Sequence, residues 1–254
     1  MHSTIKRATK RILERLSLDH LRVQDALAVF HSNEYLRHNA RRLEHLASLG
    51  IPVSDGSVLE VGAGIGDHSH YYIDRGCTVT ITEARATNLS YLRSRYPHHD
   101  VRYLDLESPG ADCANGPFDV VHCYGVLYHL SKPREALEYL GRNTRRILLL
   151  ETCVSFGDEE AIHLTREPQS DPSQACSGTG CRPTRAWLYK ELERLFEHVY
   201  LPTTQPWHEE FPLDWTAPQA HRARLQRAIF VASRERLDSE RLTRALIARQ
   251  TRST

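Results

Sequence analysis

The sequence has no apolar run approaching the ~20 residues that cross a bilayer, and its first 20 residues are too charged to hold the apolar centre of a secretory signal. A cytoplasmic protein without a membrane partner is expected. It also lacks an excess of one charge: 33 Lys and Arg stand against 32 Asp and Glu, for a formal net charge of +1. That balance argues against nucleic acid as a partner, since nucleic-acid binders ordinarily carry a strong basic patch. The basic residues near the ends (Lys6, Arg7, Lys10, Arg11, Arg15; Arg241, Arg244, Arg249, Arg252) read as solvated helix faces. The six cysteines are scattered without the density of a disulfide scaffold, so reduced thiols are the default. Only Cys176 and Cys181 are close, in "CSGTGC", and two thiolates without a second pair make a poor zinc site, so no metal is expected. There is no internal repeat and no low-complexity segment.

What is present is a composition of 40% hydrophobic and 26% charged residues over 254 positions, enough for one well-buried domain with appendages. From Gln24 to Leu49, apolar residues (Leu27, Phe30, Leu43, Leu46, Leu49) recur at helical intervals until Gly50 and Pro52 stop the pattern. This makes residues 1–52 a helical extension. Short apolar runs then alternate with amphipathic segments. Strands are expected at "SVLEVG", "TVTIT" (78–82), "VRYL" (101–104), "FDVVHCY" (118–124) and "RILLLET" (146–152), with helices over 67–75, 88–96 and 134–142 between them. Such alternation implies crossover units, a parallel sheet covered on both faces, and therefore a doubly wound α/β core over residues 53–234.

Residues 153–183, rich in Ser, Gly, Pro and Gln, leave the carboxyl end of the fifth strand and read as a lid-like loop insertion. A helix over 184–196 follows, then "HVYL" (198–201) and "AIFVAS" (228–233) as a closing antiparallel pair. The segment 235–254 reads as a polar helical tail with few apolar anchors (Leu237, Leu242, Leu246, Ile247).

In an open parallel sheet, ligands bind outside the carboxyl ends of the first strands. There the chain reads "VLEVGAGIGDHS". Gly62, Gly64 and Gly66 permit a sharp turn and close backbone approach, and the following helix aims its first amides at the crevice. The spacing is not that of a dinucleotide fingerprint, because Asp67 occupies the place of its third glycine, and no Gly-Lys-Ser/Thr follows to make a phosphate loop. A ligand without phosphates and with a cationic group fits better, with Glu60 and Asp67 flanking the turn. Glu83 ends the second strand 21 positions after Gly62, where a carboxylate accepts both hydroxyls of an unmodified ribose. Asp105 ends the third strand, placed for an adenine amine, with Leu106 against the ring.

These segments resemble the class I S-adenosylmethionine-dependent methyltransferase family: "VLEVGAGIGDHS", "TITE", "YLDLE" and "FDVVHCYGVLYHLSKP" match its first four motifs over residues 56–152. The resemblance implies a Rossmann-like, seven-stranded, mostly parallel sheet with an antiparallel closing strand. It implies S-adenosyl-L-methionine as cofactor, held by Glu60, Gly62, Ala63, Gly64, Gly66, Asp67, Glu83, Ala84, Asp105, Leu106 and Tyr124, with the N-terminal extension as a cap.

In that fold the loop after the fourth strand faces the sulfonium and offers Tyr124, Tyr128 and His129. Imidazole titrates near neutrality, so His129 is the candidate base, with Tyr128 beside it. His68 and His70 are rivals. His122 reads as a core residue, and Tyr71 and Tyr72 as packing against the N-terminal helix. Candidate acceptor contacts are Tyr35 and His38, with Asn39 and Arg42, on that helix. To these are added Arg182 and Arg185 at a helix start, suited to an anion, and the aromatic wall of Trp207, His208 and Trp215. The expected activity is methylation of an oxygen or nitrogen of a small molecule, such as a sugar or secondary metabolite. The alternatives are a tRNA wobble-uridine-modifying enzyme using this cofactor or a modified form of it, since "GVLYHLSKP" also resembles the loop of such enzymes; a non-catalytic binding module; and, formally, a dehydrogenase.

Overall fold

The computed structural model describes residues 27–110, 116–169, 171 and 173–253. The basic cluster at residues 6–15 and the first part of the N-terminal extension lie outside them. Helix α1 (Asn33–Ser48) does not continue unbroken from the helical stretch at 27–30. Ser32 adopts an extended backbone and its hydroxyl accepts the Tyr35 amide at 3.3 Å, which starts a new helix in place of the single one expected from apolar spacing. The buried face of α1 is mainly polar: His38, Asn39, Arg42 and His45 beside Leu46.

The core alternates as expected: β1 (Ser57–Val61), α2 (Ser69–Ile73), β2 (Thr78–Glu83), α3 (Ala86–Arg95), β3 (Asp100–Tyr103), β4 (Phe118–Tyr124), α4 (Pro133–Asn143) and β5 (Thr144–Cys153). After β5 come a hairpin of β6 (Ile162–Arg166) and β7 (Thr179–Pro183), α5 (Arg185–Leu195), β8 (His198–Pro202), β9 (Thr204–Gln205), β10 (Arg227–Ser233), β11 (Leu242–Thr243) and β12 (Thr251–Arg252). The main sheet runs β11-β8-β10-β5-β4-β1-β2-β3. Strands β1 to β5 are parallel, and β10 runs antiparallel to both β5 and β8. The seven expected strands are thus joined by an eighth, the two-residue β11, at the β8 edge.

Successive strand residues serve opposite faces, as the two-residue period requires. Leu59, Val121 and Leu148 join Leu137, Leu188 and Leu192 of α4 and α5 on one face. Val58, Val120 and Leu149 join Leu46 of α1, Tyr71 and Tyr72 of α2 and Leu92 of α3 on the other. Burying each such leucine or valine stabilises the fold by roughly 1.5–3 kcal/mol. The strand order reverses between β1 and β4, which opens a crevice at their carboxyl ends.

Two expectations are corrected. The 153–183 insertion is not simply a loop, since its β6 and β7, five residues each, pair as an antiparallel hairpin. A Cβ at Gly180 would collide with the Tyr128 carbonyl oxygen, so the hairpin lies hard against the loop after β4. The 235–254 tail holds no helix. Its few apolar residues cannot anchor one, and its backbone pairs instead with β8 and β9. Gln250 is buried there, donating to the Pro202 carbonyl at 2.7 Å and accepting from Gln205 and Trp215. No helix among the described residues is long and apolar enough to cross a membrane.

Candidate active site

A cavity of about 600 Å³ sits at the crevice, walled by α1, the ends of β1, β2 and β4, and the segments around 104–107, 173–182 and 208–227. At one end is the glycine turn. Gly62, Gly64 and Gly66 all have positive φ, of 64°, 61° and 83°. A Cβ at Gly62 would enter the Val126 side chain, and one at Gly66 would lie 2.9 Å from Leu92 and closer still to Tyr96. Gly66 therefore answers to packing beneath the turn and does not line the cavity, whereas Gly62 and Gly64 do.

Glu83, at the end of β2, accepts the amides of Gly64, Ala84 and Arg85, each at 2.8 Å. Its burial raises its pKa, against those three hydrogen bonds. Ala84, Asp105 and Leu106 line the same end, and Asp105 accepts the Glu107 amide at 2.9 Å.

A smaller recess continues under α1, lined by Glu60, Ala63, Asp67, His68, Tyr124 and Arg42 among others. Glu60 is buried and accepts the Ser69 hydroxyl at 2.5 Å, and desolvation pushes its pKa up to about 7. Asp67 is bound by Arg95 at 2.7 Å and by Asn39, so its charge is already paired. Three polar atoms at this recess are buried without a partner: Arg42 Nε, His68 Nε2 and Tyr124 Oη. Left so, each costs about 1–3 kcal/mol, and a ligand bearing both donors and acceptors would satisfy them.

At the other end, Tyr128 and His129 face the cavity. His129 Nδ1 lies 2.5 Å from Glu167 Oε2, and Glu167 also accepts Arg182 at 3.0 Å and the Ala175 amide at 2.9 Å. A carboxylate at Nδ1 assigns the proton of the neutral ring to that nitrogen and leaves Nε2 as an acceptor. Burial lowers the His129 pKa, and Glu167 opposes the shift. Tyr128 lies between two guanidinium groups, Arg182 and Arg227, each 5.0 Å from its ring centroid. Burial raises the Tyr128 pKa, so the phenol stays protonated.

The floor is a buried ionic chain. Arg42 meets Glu151 at 2.7 Å, Arg227 meets Glu151 at 3.1 Å, and Arg227 Nε donates to Glu210 at 2.5 Å. Glu151 is 0% exposed. A buried charge of this kind is tolerated only when paired.

Of the candidate acceptor contacts, Tyr35, His38 and Arg182 line the cavity. Arg185 and Trp207 do not, which corrects their expected placement. Arg185 donates to the Ile247 carbonyl at 2.7 Å and covers the Trp215 ring, while Trp207 is 58% exposed with its Nε1 donating to Ser253. The tail that sequence reasoning took for a helix captures both side chains. His208, next to Trp207, does line the cavity. Of the rivals, His68 lies at the recess and His70 is exposed, and His122 is buried between His68 and Tyr72.

Sequence reasoning missed Glu151, Glu167, Glu210 and Arg227. Glu151 carried a signal, a lone acid after "LLL" at a strand's carboxyl end. The other three come from segments brought in by the hairpin, the stretch between β9 and β10, and β10 itself, and no local pattern marks them.

Comparison with known proteins agrees with this geometry. Residues 31–209 match the family described as the methyltransferase domain. The chain is 32% identical over 130 residues to a tRNA U34 carboxymethyltransferase of Actinobacillus succinogenes, and 31% identical over 135 residues to one of Mannheimia succiniciproducens. These matches cover 48% and 50% of this chain, and 39% and 40% of those proteins, so the chain spans about two-fifths of the relatives' length. Among solved structures, the N-terminal domain of EvdMO1 crystallised with SAH and D-fucose aligns with TM-score 0.60 at 19% identity, covering 80% of this chain and 84% of that one. An S-adenosylmethionine-dependent methyltransferase from Mesorhizobium loti aligns with TM-score 0.54 at 14% identity, over 76% and 98% of the two chains. With its glycine turn, strand-end acids and strand order, the chain belongs to the methyltransferase-domain family and shares the fold of these two solved structures.

Proposed function

We propose that this enzyme methylates a hydroxyl oxygen of a small molecule, with His129 as general base and Glu167 as the residue that positions it. The observation that carries the reading is the His129–Glu167 contact at 2.5 Å in the wall of the cavity. A hydroxyl nucleophile must lose its proton as it attacks, and a neutral imidazole with a free Nε2 suits that task. Glu167 fixes the ring's orientation and faces the imidazolium that forms. Arg182, bound to both Glu167 and the Tyr128 carbonyl, holds the carboxylate against the ring.

The residues fit the cofactor. Glu83 would take the ribose hydroxyls, and Asp105 and Leu106 the adenine. Arg42, His68 and Tyr124, with their unpartnered buried atoms, would take the amino-acid end. Gly62, Gly64, Ala63, Ala84 and Glu60 would shape the walls, and Gly66 and Asp67 would support the turn from below. S-adenosylmethionine bound there supplies an electrophilic methyl group on a sulfonium leaving group. The protein supplies alignment, exclusion of water and the base.

A second reading, a tRNA wobble-uridine-modifying enzyme, draws on the curated relatives at 31–32% identity. The near-zero formal charge counts against it. One experiment separates the readings: incubate the protein with methyl-labelled S-adenosylmethionine and an extract split into RNA, protein and small molecules. Label in the small-molecule fraction is expected. Label in RNA would replace the first reading with the second, and no label anywhere with SAH still bound would favour a non-catalytic module.

A further inference from the structure

The cavity wall opposite the glycine turn holds His38 of α1 with His208 and Glu210 from the turn before β10. Nothing in the cofactor reading or the His129 reading uses them. The two rings are 6% and 4% exposed, stacked with centroids 4.5 Å apart and planes 27° from parallel. Both Nε2 atoms are buried without a hydrogen-bond partner. One carboxylate faces each ring, Glu210 facing His38 and Glu209 facing His208, each at 3.9 Å and so beyond hydrogen-bond reach. Both are held by arginines, Glu210 by Arg227 and Glu209 by Arg37.

Two imidazoles and a carboxylate suggest a metal first, and the hydrogen bonding of His208 speaks against one. One nitrogen or oxygen from each of the three residues lies within 4.8 Å of the others, with His38 Nε2 3.9 Å from Glu210 Oε2. His208 Nδ1 accepts the Glu210 amide at 3.3 Å, which commits that ring's proton to Nε2 and leaves no lone pair there for a metal.

What remains is a donor, His208 Nε2–H, beside acceptors on His38 and Glu210. A hydroxyl group, which accepts and donates through one oxygen, completes this set. We propose that His38, His208 and Glu210 form a recognition site for a hydroxyl of a polyhydroxylated, sugar-like acceptor, separate from the hydroxyl that is methylated. Recognition, not proton abstraction, is the role, because burial beside Arg42 and Arg227 keeps His38 from taking up a proton. Arg227 links the two stations: it binds Glu210 on one side and Tyr128 on the other, and the Tyr128 ring lies 3.8 Å from that of His129. An acceptor with one hydroxyl at His129 and another at His208 is therefore a polyol.

The inference rests on the small-molecule transferase reading, and its test is arranged to fail separately. Methyl α-glycosides of glucose, galactose and mannose, with tetrahydropyran as the ring lacking hydroxyls, are titrated onto SAH-saturated protein and followed by saturation-transfer NMR. At least one glycoside is expected to bind and tetrahydropyran not to. His208→Phe, which keeps the stacked ring, should weaken the glycoside roughly ten-fold and leave SAH affinity unchanged. A long-range ¹H–¹⁵N spectrum of the wild type should show the His208 proton on Nε2, which needs no variant to fold. The proposal is overturned by no glycoside binding while SAH binds, by equal binding to His208→Phe, by a proton on Nδ1, or by Zn²⁺ binding that His208→Phe abolishes. Failure of SAH to bind counts against the transferase reading instead, and the glycoside titration of the free protein still reads the hydroxyl site.

Discussion

Replacing Glu167 with glutamine tests the catalytic reading at its narrowest point. The carboxylate serves three donors: His129 Nδ1 and the Ala175 amide at Oε2, and Arg182 at Oε1. A glutamine has one carbonyl oxygen, so keeping His129 in place turns its NH₂ toward the Arg182 guanidinium. A hydrogen bond to an ionised partner contributes about 1.5–3 kcal/mol and a neutral one about 0.5–1.5. The difference, taken in the transition state where His129 becomes charged, lowers kcat by roughly 5–30-fold. Glu167 also opposes the effect of burial on His129. Without it the His129 pKa falls further, and the acid limb of the pH–rate profile moves to lower pH. The assay is an NMR titration of the His129 ring in both proteins, followed by pH–rate profiles on whichever fraction accepts label. A His129 pKa unchanged or raised in Glu167→Gln would refute the reasoning, even if activity fell.

Three further outcomes are expected. Glu83→Gln removes carboxylate acceptors from a group that binds three amides, and SAH affinity should drop roughly 10–100-fold by calorimetry; a change under about three-fold would separate Glu83 from the cofactor. Glu151→Leu strands Arg42 in the interior, leaves Arg227 to Glu210 alone, and should cost about 3–5 kcal/mol in urea unfolding, more than a leucine's apolar gain returns. Stability should also fall as pH drops below about 6.5. Burial holds the folded pKa of His45 near 4 and of His122 near 3, so both are neutral in the folded chain while the unfolded chain takes up protons. Glu60, raised to about 7, acts in the opposite direction between about 4.5 and 7. Burial keeps His38 and His68 neutral in the same way, so the buried histidines outnumber Glu60 and stability falls with pH across that window; a flat chemical-denaturation profile from pH 6.5 to 4.5 would contradict it.

The glycine-turn end of the cavity was legible because its lining is local. Gly62, Gly64, Glu83 and Asp105 sit at ends of consecutive strands, and a short motif carries each. The other half is assembled from distance. Glu167 reaches His129 from the hairpin insertion, Glu210 comes from the segment between β9 and β10, and Arg227 opens β10, so no spacing announces them. Helix α1 was legible in its polar face, where Tyr35, His38, Asn39 and Arg42 share one side, but not in its start, because apolar periodicity does not register the Ser32 cap that begins a new helix. The tail failed as a helix because its few leucines were read at helical spacing, while Gln250, the residue that fastens it, looks polar and exposed in sequence.

The polar face of α1 has an evolutionary consequence. Asn39 and Arg42 stand at the recess beneath the glycine turn, while His38 stands at the hydroxyl station and Tyr35 borders both, all on about two turns of one helix. Each helical residue advances about 100° in phase. A one-residue insertion ahead of Tyr35 leaves this stripe intact, whereas one between His38 and Asn39 rotates one half against the other and uncouples donor from acceptor. Point substitution at 38 has no such effect. Acceptor preference can therefore drift by exchange at that position while the phase of the helix conserves the cofactor's seat.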